Sequence, residues 1–302
     1  ILNKSAFNFH TYDIDRVDVL HGSQGTLYGM NTEGGLIRMY SRNPFQYQGT
    51  DVKFSLGTKL LRKVELNHYQ KLDDKRAFSL SAFYGGQNGF FRNQFDGSRA
   101  DLINEFGGKG RFMWKASDRW MFDWIADYQY THQNGFPYGQ LVSKEEIASA
   151  PLTSPLYAMK AGTQMPNQNR QSYYRRNILN TGMGIKYAGN GFDVNSMTSW
   201  QFLHDNMLMD IDYLPQDFLH LTQRQHGNTI TEELSVKSNR NGKWQWTFGA
   251  FGSYQWLKTM APIYFDKDMN TALSKKITDY AYNGMLNAMA RGMVPSFIAR
   301  GM

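Results

Sequence analysis

Apolar and polar residues alternate along most of this chain. Val52, Phe54 and Leu56 are interleaved with Lys53, Ser55 and Gly57, and Val64 and Leu66 with Lys63, Glu65 and Asn67. Phe78, Leu80, Ala82 and Tyr84 alternate with Ser79, Ser81 and Phe83, and Phe112 and Trp114 with Arg111, Met113 and Lys115. Trp120, Phe122, Trp124, Ala126, Tyr128 and Tyr130 follow, with Asp123, Asp127 and Gln129 between them. The same habit runs through Leu179–Tyr187, Phe192–Phe202, Ile230–Val236 and Trp244–Trp256, broken on the apolar side by Glu232. A period of two places successive side chains on opposite faces, so each run predicts a strand with one apolar and one polar face.

About nine such strands of about 9–13 residues are expected, long enough to cross a bilayer at a tilt. Their aromatic residues gather near the ends, where a membrane interface holds them, while Asp and Lys share the opposite face. The connections alternate in length. Leu72–Lys75, Ala116–Arg119, Ala188–Gly191 and Ser238–Lys243 are short and rich in Asp, Asn and Gly. Gly86–Gly107, Thr131–Arg176, His204–Asn228 and the stretch after Leu257 are long, and only the first outer connection, Gly57–Leu61, is short. Short turns on one side and long loops on the other is the arrangement of an outer-membrane barrel, and a soluble β-sandwich has no reason to sort its loops by parity. The fold class expected is therefore all-β: a transmembrane antiparallel β-barrel. An open run of about nine strands leaves unpaired edges, so the chain reads as part of a larger barrel with more strands beyond Met302. Two outer stretches carry helical signals: the capping-box pattern Ser143-Lys-Glu-Glu146, and Thr271–Met289, with Leu273, Ile277, Ala281 and Leu286 at helical spacing.

Composition agrees and narrows the partners. Aromatic residues make up 15% of the 302 positions, with 28 Gly but only 8 Pro, and no run of apolar residues reaches the length of a transmembrane helix. Lys and Arg number 33 against 26 Asp and Glu, a net charge of +7, but the charges are scattered and form no basic run, so no nucleic acid is expected. Cysteine is absent, which removes disulfides and thiolate chemistry.

One stretch precedes the barrel pattern: VDVLHGSQGTLYGMNTEGGLIRMYSRNP, Val17–Pro44, two alternating runs around a glycine-rich centre. A phosphate-binding loop requires Gly-x-x-x-x-Gly-Lys-Ser/Thr, and no such Lys follows. No βαβ unit surrounds the glycines, which excludes a dinucleotide fold. The glycines instead permit a tight loop, with the flanking runs paired as strands.

This stretch resembles the end of the plug domain of TonB-dependent outer-membrane receptors. The family pattern is matched at Asp15, Arg16, Val17, Val19, Leu20, Gly22, Gln24, Gly25, Leu27, Tyr28, Gly29, Gly34, Gly35, Ile37 and Pro44. It is departed from at His21, Ser23 and Arg38, where the family usually has Arg, Pro and Asn. The segments Met209–Phe218, Thr231–Ser238 and Trp244–Gln255 are similar to receptors of the yersiniabactin/pesticin type. The resemblance implies a plugged barrel of about 22 strands, with residues 1–46 closing the plug and 47–302 opening the wall. It implies a receptor in the outer membrane of a Gram-negative bacterium that imports a scarce nutrient, a ferric siderophore first, with cobalamin, haem or an oligosaccharide as other cargoes. Its implied partners are the TonB protein with its inner-membrane energising complex, outer-membrane lipids and a surface lipoprotein. A passive porin, a barrel enzyme and a non-transporting surface binder remain as other classes.

Site residues follow from both readings. The resemblance places Tyr28 at the plug apex, facing the ligand. Tyr138, Tyr173, Tyr174, Arg175 and Arg176 fall in the second long loop, and His204, His220, Arg224 and His226 in the third, where Tyr and Arg suit an anionic ligand. The ligand set expected is Tyr28, Tyr138, Tyr173, Tyr174, Arg175, Arg176, His220 and Arg224. Glu233 has the lumen parity of its strand, and its expected partners are the plug cations Arg16, Arg38 and Arg42. His220 and His226 match no metal-ligand spacing, so no metal is expected. No cofactor and no catalytic constellation are expected, and the chain reads as a non-enzyme.

Overall fold

The computed structural model describes residues 12–23, 34–135, 144–149, 166–240 and 243–290. The two runs flanking the glycine-rich centre form β1 (Arg16–His21) and β2 (Gly35–Tyr40), paired antiparallel with Arg16 opposite Tyr40 and His21 opposite Gly35. Gly35 is needed here: its φ is +144°, and a Cβ would sit 2.6 Å from the Leu20 carbonyl oxygen.

The alternating runs form one antiparallel meander in which each strand pairs with the next: β3 (Gly49–Gly57), β4 (Leu61–Lys71), β5 (Arg76–Gln87), β6 (Ile103–Lys115), β7 (Trp120–Gln133), β8 (Tyr173–Ala188), β9 (Phe192–Asp210), β10 (Leu219–Ser238) and β11 (Thr247–Met260). A short β12 (Ile263–Phe265) pairs with the outer end of β10. Among the described residues the α-helices lie on the long-loop side: α1 (Lys144–Ser149) in the second outer loop and α2 (Lys267–Ala290) after β12. Both lie where helical signals were expected, although Ser143 itself lies outside the described residues.

Loop parity is as expected. The tight turn after β4 is held by Asp73, whose Oδ1 accepts the backbone N–H groups of Lys75 at 2.8 Å and Arg76 at 2.7 Å. The strands are longer than expected on one side, since β9 has 19 residues and β10 has 20. Their outer halves lose the apolar alternation, since each face of β9 there mixes polar and apolar residues, with Leu203 and Met207 buried beside Asp205 on the lumen side, yet the backbone ladder continues. The third outer loop therefore shrinks to residues 211–218.

One face of the meander carries Phe54, Leu66, Leu80, Trp114, Trp124, Met183, Trp200, Ile230 and Trp256, all exposed as lipid-facing side chains are. The other face carries Asp51, Glu65, Ser79, Lys109, Asp123, Asp127, Asn180, Gln201 and Thr229 and lines the lumen. Among the described residues no helix is long and apolar enough to cross a membrane; the strands cross it. Glu232 is the exception on the lipid face. Its carboxylate accepts hydrogen bonds from the hydroxyls of Ser196, at 2.7 Å, and Thr198, both on β9. A carboxylate facing lipid opposes insertion, so Glu232→Leu is expected to raise the thermal midpoint of the bilayer-embedded protein. A lowered midpoint would show that the carboxylate is needed where it stands.

Candidate functional site

The candidate surface is the lumen wall and the chain that crosses it before β1 and after β2. Asp13 lies at its centre with a fully buried side chain. The Tyr69 hydroxyl, from β4, donates to its Oδ1 at 2.6 Å, and the Lys109 ammonium, from β6, donates to its Oδ2 at 3.1 Å. Lys109 also donates to Ser41 Oγ at 2.9 Å, so one lumen lysine holds both ends of the crossing segment. The adjacent Tyr12 donates its hydroxyl to Asp127 Oδ2 on β7 and packs its ring on Phe83 of β5, centroids 4.7 Å apart. A buried carboxylate with a lysine and a phenol is fully satisfied, and each partner comes from a different strand.

A second set of contacts follows β2. Arg42 pairs with Asp51 of β3 at 2.6 Å and lies over the Tyr47 ring, 4.7 Å from its centroid. Its carbonyl oxygen accepts from Arg111 Nη1 at 3.2 Å. Arg111 makes a bidentate pair with Asp123, at 2.9 and 2.7 Å, so the guanidinium is rigidly presented. Between the crossing segment and β3–β4 lies a cleft of about 760 Å³ lined by Asp13, Arg16, Arg42, Asp51, Glu65 and Tyr69.

Higher on the same face, β7–β10 bring together a buried polar row. Thr131 stands opposite Arg176, and Arg176 opposite Asp205. Arg176 is 4% exposed and Asp205 0%. Arg176 Nη2 donates to Thr131 Oγ1 at 3.3 Å, and the Tyr174 hydroxyl donates to Asp205 Oδ2 at 3.3 Å.

The outer loops are braced to one another above this row. Asn93 in the loop after β5 exchanges two hydrogen bonds with Gln168, at 2.7 and 2.9 Å. Arg170 bridges Asp217, at 3.1 Å, and Asp266, at 3.2 Å, and Asp266 also pairs with His220 at 2.6 Å. Asp210 closes β9. A tilted strand crosses the hydrocarbon layer in about ten residues, so Asp210, eighteen residues beyond Phe192, stands above the membrane. Burial, and then the nearby Asp212, push its carboxyl up to about 7. The folded rim therefore holds a proton that an unfolded Asp, with a pKa of about 3.9, has already released. That contribution is present at low pH and is lost as pH rises through about 7. Hydrogen exchange at the amides of Arg170 and Tyr213, which donate to Asp210, is expected to be slower at about pH 5 than at about pH 8 after correction for intrinsic rates. Asp210→Asn should abolish the difference.

The expected site residues are distributed as follows. Tyr28 and Tyr138 lie outside the described residues. Tyr173, Tyr174, Arg175 and Arg176 are on β8 rather than in a loop, so they alternate: Tyr174 and Arg176 face the lumen, Tyr173 and Arg175 face outward. His204 is on β9, and His220, Arg224 and His226 are on β10. Arg224 and His226 share the outward face and are exposed, whereas His220 belongs to the rim network. The expected pairing of Glu233 with a plug cation does not form. Arg16 pairs with Asp18 at 3.1 Å, Arg38 lies over the Tyr40 ring, and Arg42 takes Asp51. Glu233 is exposed on β10, opposite Met197 and Phe251, whereas the crossing segment touches β3–β7. Arg42 is thus a plug-to-wall contact with a nearer carboxylate. Tyr12, Asp13, Tyr69, Lys109, Asp127 and Asp205 were not singled out from the sequence. For Tyr69, Lys109, Asp127 and Asp205 the only signal was lumen parity on a strand, which many polar residues share; Tyr12 and Asp13 precede β1 and had no such signal.

No family model matches the chain. Among curated proteins it is similar to the ferrichrome outer membrane transporter/phage receptor of Escherichia coli K12, 24% identical over 140 residues, which is 46% of this chain and 18% of that protein. Among solved structures it is similar to the ferric yersiniabactin uptake receptor of Yersinia pestis, with a TM-score of 0.65 and 19% identity over 84% of this chain and 38% of that one. It is also similar to a siderophore receptor of Acinetobacter baumannii, with a TM-score of 0.63 and 11% identity over 88% of this chain and 40% of that one. The chain thus spans less than half the length of each of these relatives. Its fold is that of the plugged β-barrel receptors of the Gram-negative outer membrane: the end of a plug and part of the wall around it.

Proposed function

We propose that the chain is the plug-to-barrel portion of an energy-coupled outer-membrane importer whose cargo is a ferric siderophore. The observation that carries this reading is the polar seam between the crossing segment and the lumen wall. Tyr12, Asp13, Ser41 and Arg42 are held by Tyr69, Lys109, Arg111 and Asp127. Hydrogen bonds and ion pairs in a wet lumen hold a plug in place yet exchange with water when it is pulled. That combination suits gating by a mechanical partner, the TonB protein with its inner-membrane complex, and is superfluous in a passive porin. The named cargoes of the relatives, ferrichrome and ferric yersiniabactin, are iron chelates, which supports the choice of cargo. We place the plug in residues 1–46 and the wall in 47–302.

In this reading the outer half of the lumen receives the ligand, and Tyr174 and Arg176 with Tyr28 form its floor and wall. The outward-facing Tyr173, Arg175 and Arg224 leave the ligand set, because they project away from the lumen. The test is titration of the full-length receptor in detergent with ferric siderophores, haem and cobalamin, followed by tryptophan fluorescence. One ferric siderophore is expected to bind. Arg176→Ala should weaken it by about tenfold or more, the loss of a charge-assisted contact of about 1.5–3 kcal/mol. Binding of haem or cobalamin alone would keep the importer and replace the cargo. In cells, deletion of the TonB-contacting segment should abolish uptake and spare surface binding; uptake that survives deletion would remove the energy-coupled reading.

A further inference from the structure

The outward face of β9 and β10 carries a feature that import does not use. His204 and His226 are direct cross-strand partners. Their Nδ1 atoms are 3.1 Å apart and their rings stack, with centroids 4.3 Å apart. Among the described residues no carboxylate and no other hydrogen-bonding group engages either ring. Two imidazole nitrogens bound to one tetrahedral metal ion at about 2.0–2.1 Å stand about 3.3 Å from each other. The pair is within 0.2 Å of that spacing, on a rigid ladder that extends beyond it in both directions.

We infer that His204 and His226 form a two-histidine site for a borderline divalent metal ion, of the Zn²⁺, Ni²⁺ or Cu²⁺ class, on the outer wall of the barrel. Imidazole selects these ions over Mg²⁺ and Ca²⁺, which prefer oxygen. At present one Nδ1–H donates to the other ring. Binding requires that ring to take the tautomer protonated at Nε2, which leaves both Nδ1 lone pairs for the metal and loses no proton. The rings now stack at 29° to each other, so each must also turn about χ2 to bring its in-plane lone pair to a common point. The remaining coordination positions are open, because the pair lies on the surface above a shallow depression lined by Tyr128, Asn177, Leu179 and Phe202. Water fills them in the test below.

The position gives the site a consequence. From Phe192 a tilted strand leaves the hydrocarbon layer after about ten residues, and His204 follows within two more. The metal would therefore sit at the outer interface and tie β9 to β10 just below the braced loops. A ligand that binds only the folded ladder stabilises it by mass action.

The experiment is calorimetric titration of the full-length protein in detergent, in a phosphate-free and chelator-free buffer, with ZnCl₂ and then NiCl₂, alongside thermal unfolding with each ion. The expected result is saturable binding with a thermal midpoint that rises with metal concentration. His204→Gln and His226→Gln should each weaken the site by about tenfold or more, because a chelate loses its second arm. MgCl₂ should have no effect. Both substitutions lie outside the lumen, so a thermal midpoint without added divalent ion that matches the wild type provides the folding control. Zinc binding of unchanged affinity in both variants would overturn the assignment, as would no saturable binding to the wild-type protein.

Discussion

Asp13→Ala is expected to unseat the plug. The side chain is wholly buried and takes its hydrogen bonds from Tyr69 and Lys109, on two different wall strands. Truncation leaves the Lys109 ammonium, itself only 12% exposed, without its carboxylate. Breaking one side of a buried pair costs about 3–5 kcal/mol, most of it from the charge left behind. The expected result is a barrel whose wall still assembles but whose plug is cut by protease, so that bulky antibiotics pass through it into the periplasm. A second variant isolates the cause. In Asp13→Ala with Lys109→Met the orphaned charge is gone, and part of the loss should return. If the double variant is as leaky as the single one, the seam depends on the shape of Asp13 rather than on its charge. A single variant as tight as wild type would remove Asp13 from the plug anchor altogether.

Gly107→Val is expected to damage the same place through packing. Gly107 lies on the lumen face of β6, beside Phe83 of β5 and opposite Gln129 of β7. A Cβ at this position would lie 2.5 Å from the Tyr128 carbonyl oxygen and 2.6 Å from the Phe83 ring. The ring can swing away, but it is the surface on which Tyr12 stacks. The carbonyl belongs to the ladder and moves only if the strands part. Overpacking of this kind costs about 1–3 kcal/mol, and the backbone clash places this case at the upper end. The midpoint of chemical unfolding should fall, and folded barrel should be scarce in the membrane. Gly110→Ala is the control. It lies three residues along the same strand on the lipid face, where a Cβ meets only the Leu80 side chain at 3.7 Å. Equal damage from both substitutions would mean that β6 rejects any side chain at a glycine, and the Phe83–Tyr12 argument would fall.

The strand pattern was legible because a membrane barrel imposes two environments on one strand. Lipid on one side and a wet lumen on the other force an alternation that survives in the residues themselves, and loop parity follows from the two ends meeting different compartments. That is why Val52–Leu56, Phe78–Tyr84 and Trp120–Tyr130 could be read as wall strands from their residues alone. The paired runs around the glycine-rich centre were legible from their own alternation and from the glycines between them. Reading failed where the two environments become one. Beyond Phe202 each face of β9 mixes polar and apolar residues, Asp205 with Leu203 and Met207 on the lumen side and His204 and Asn206 with Leu208 on the other, so no alternation marked His204–Asp210 as a strand, and Arg176 and Tyr174 were likewise placed in a loop that is a strand.

The alternation, the sorting of turns and loops, and the plug-like stretch are local properties of neighbouring residues and could be read from them. Which lumen residues meet depends on how distant stretches come together. Asp13 and Lys109 lie 96 positions apart, and Asp127 reaches Tyr12 across 115. Glu233 and Arg42 had the charges to pair but are brought to different parts of the sheet. His204 and His226 became neighbours because the register of β9 against β10 sets them opposite each other. Register is a property of two strands together, fixed by the whole ladder and its turns, and no single stretch of residues contains it.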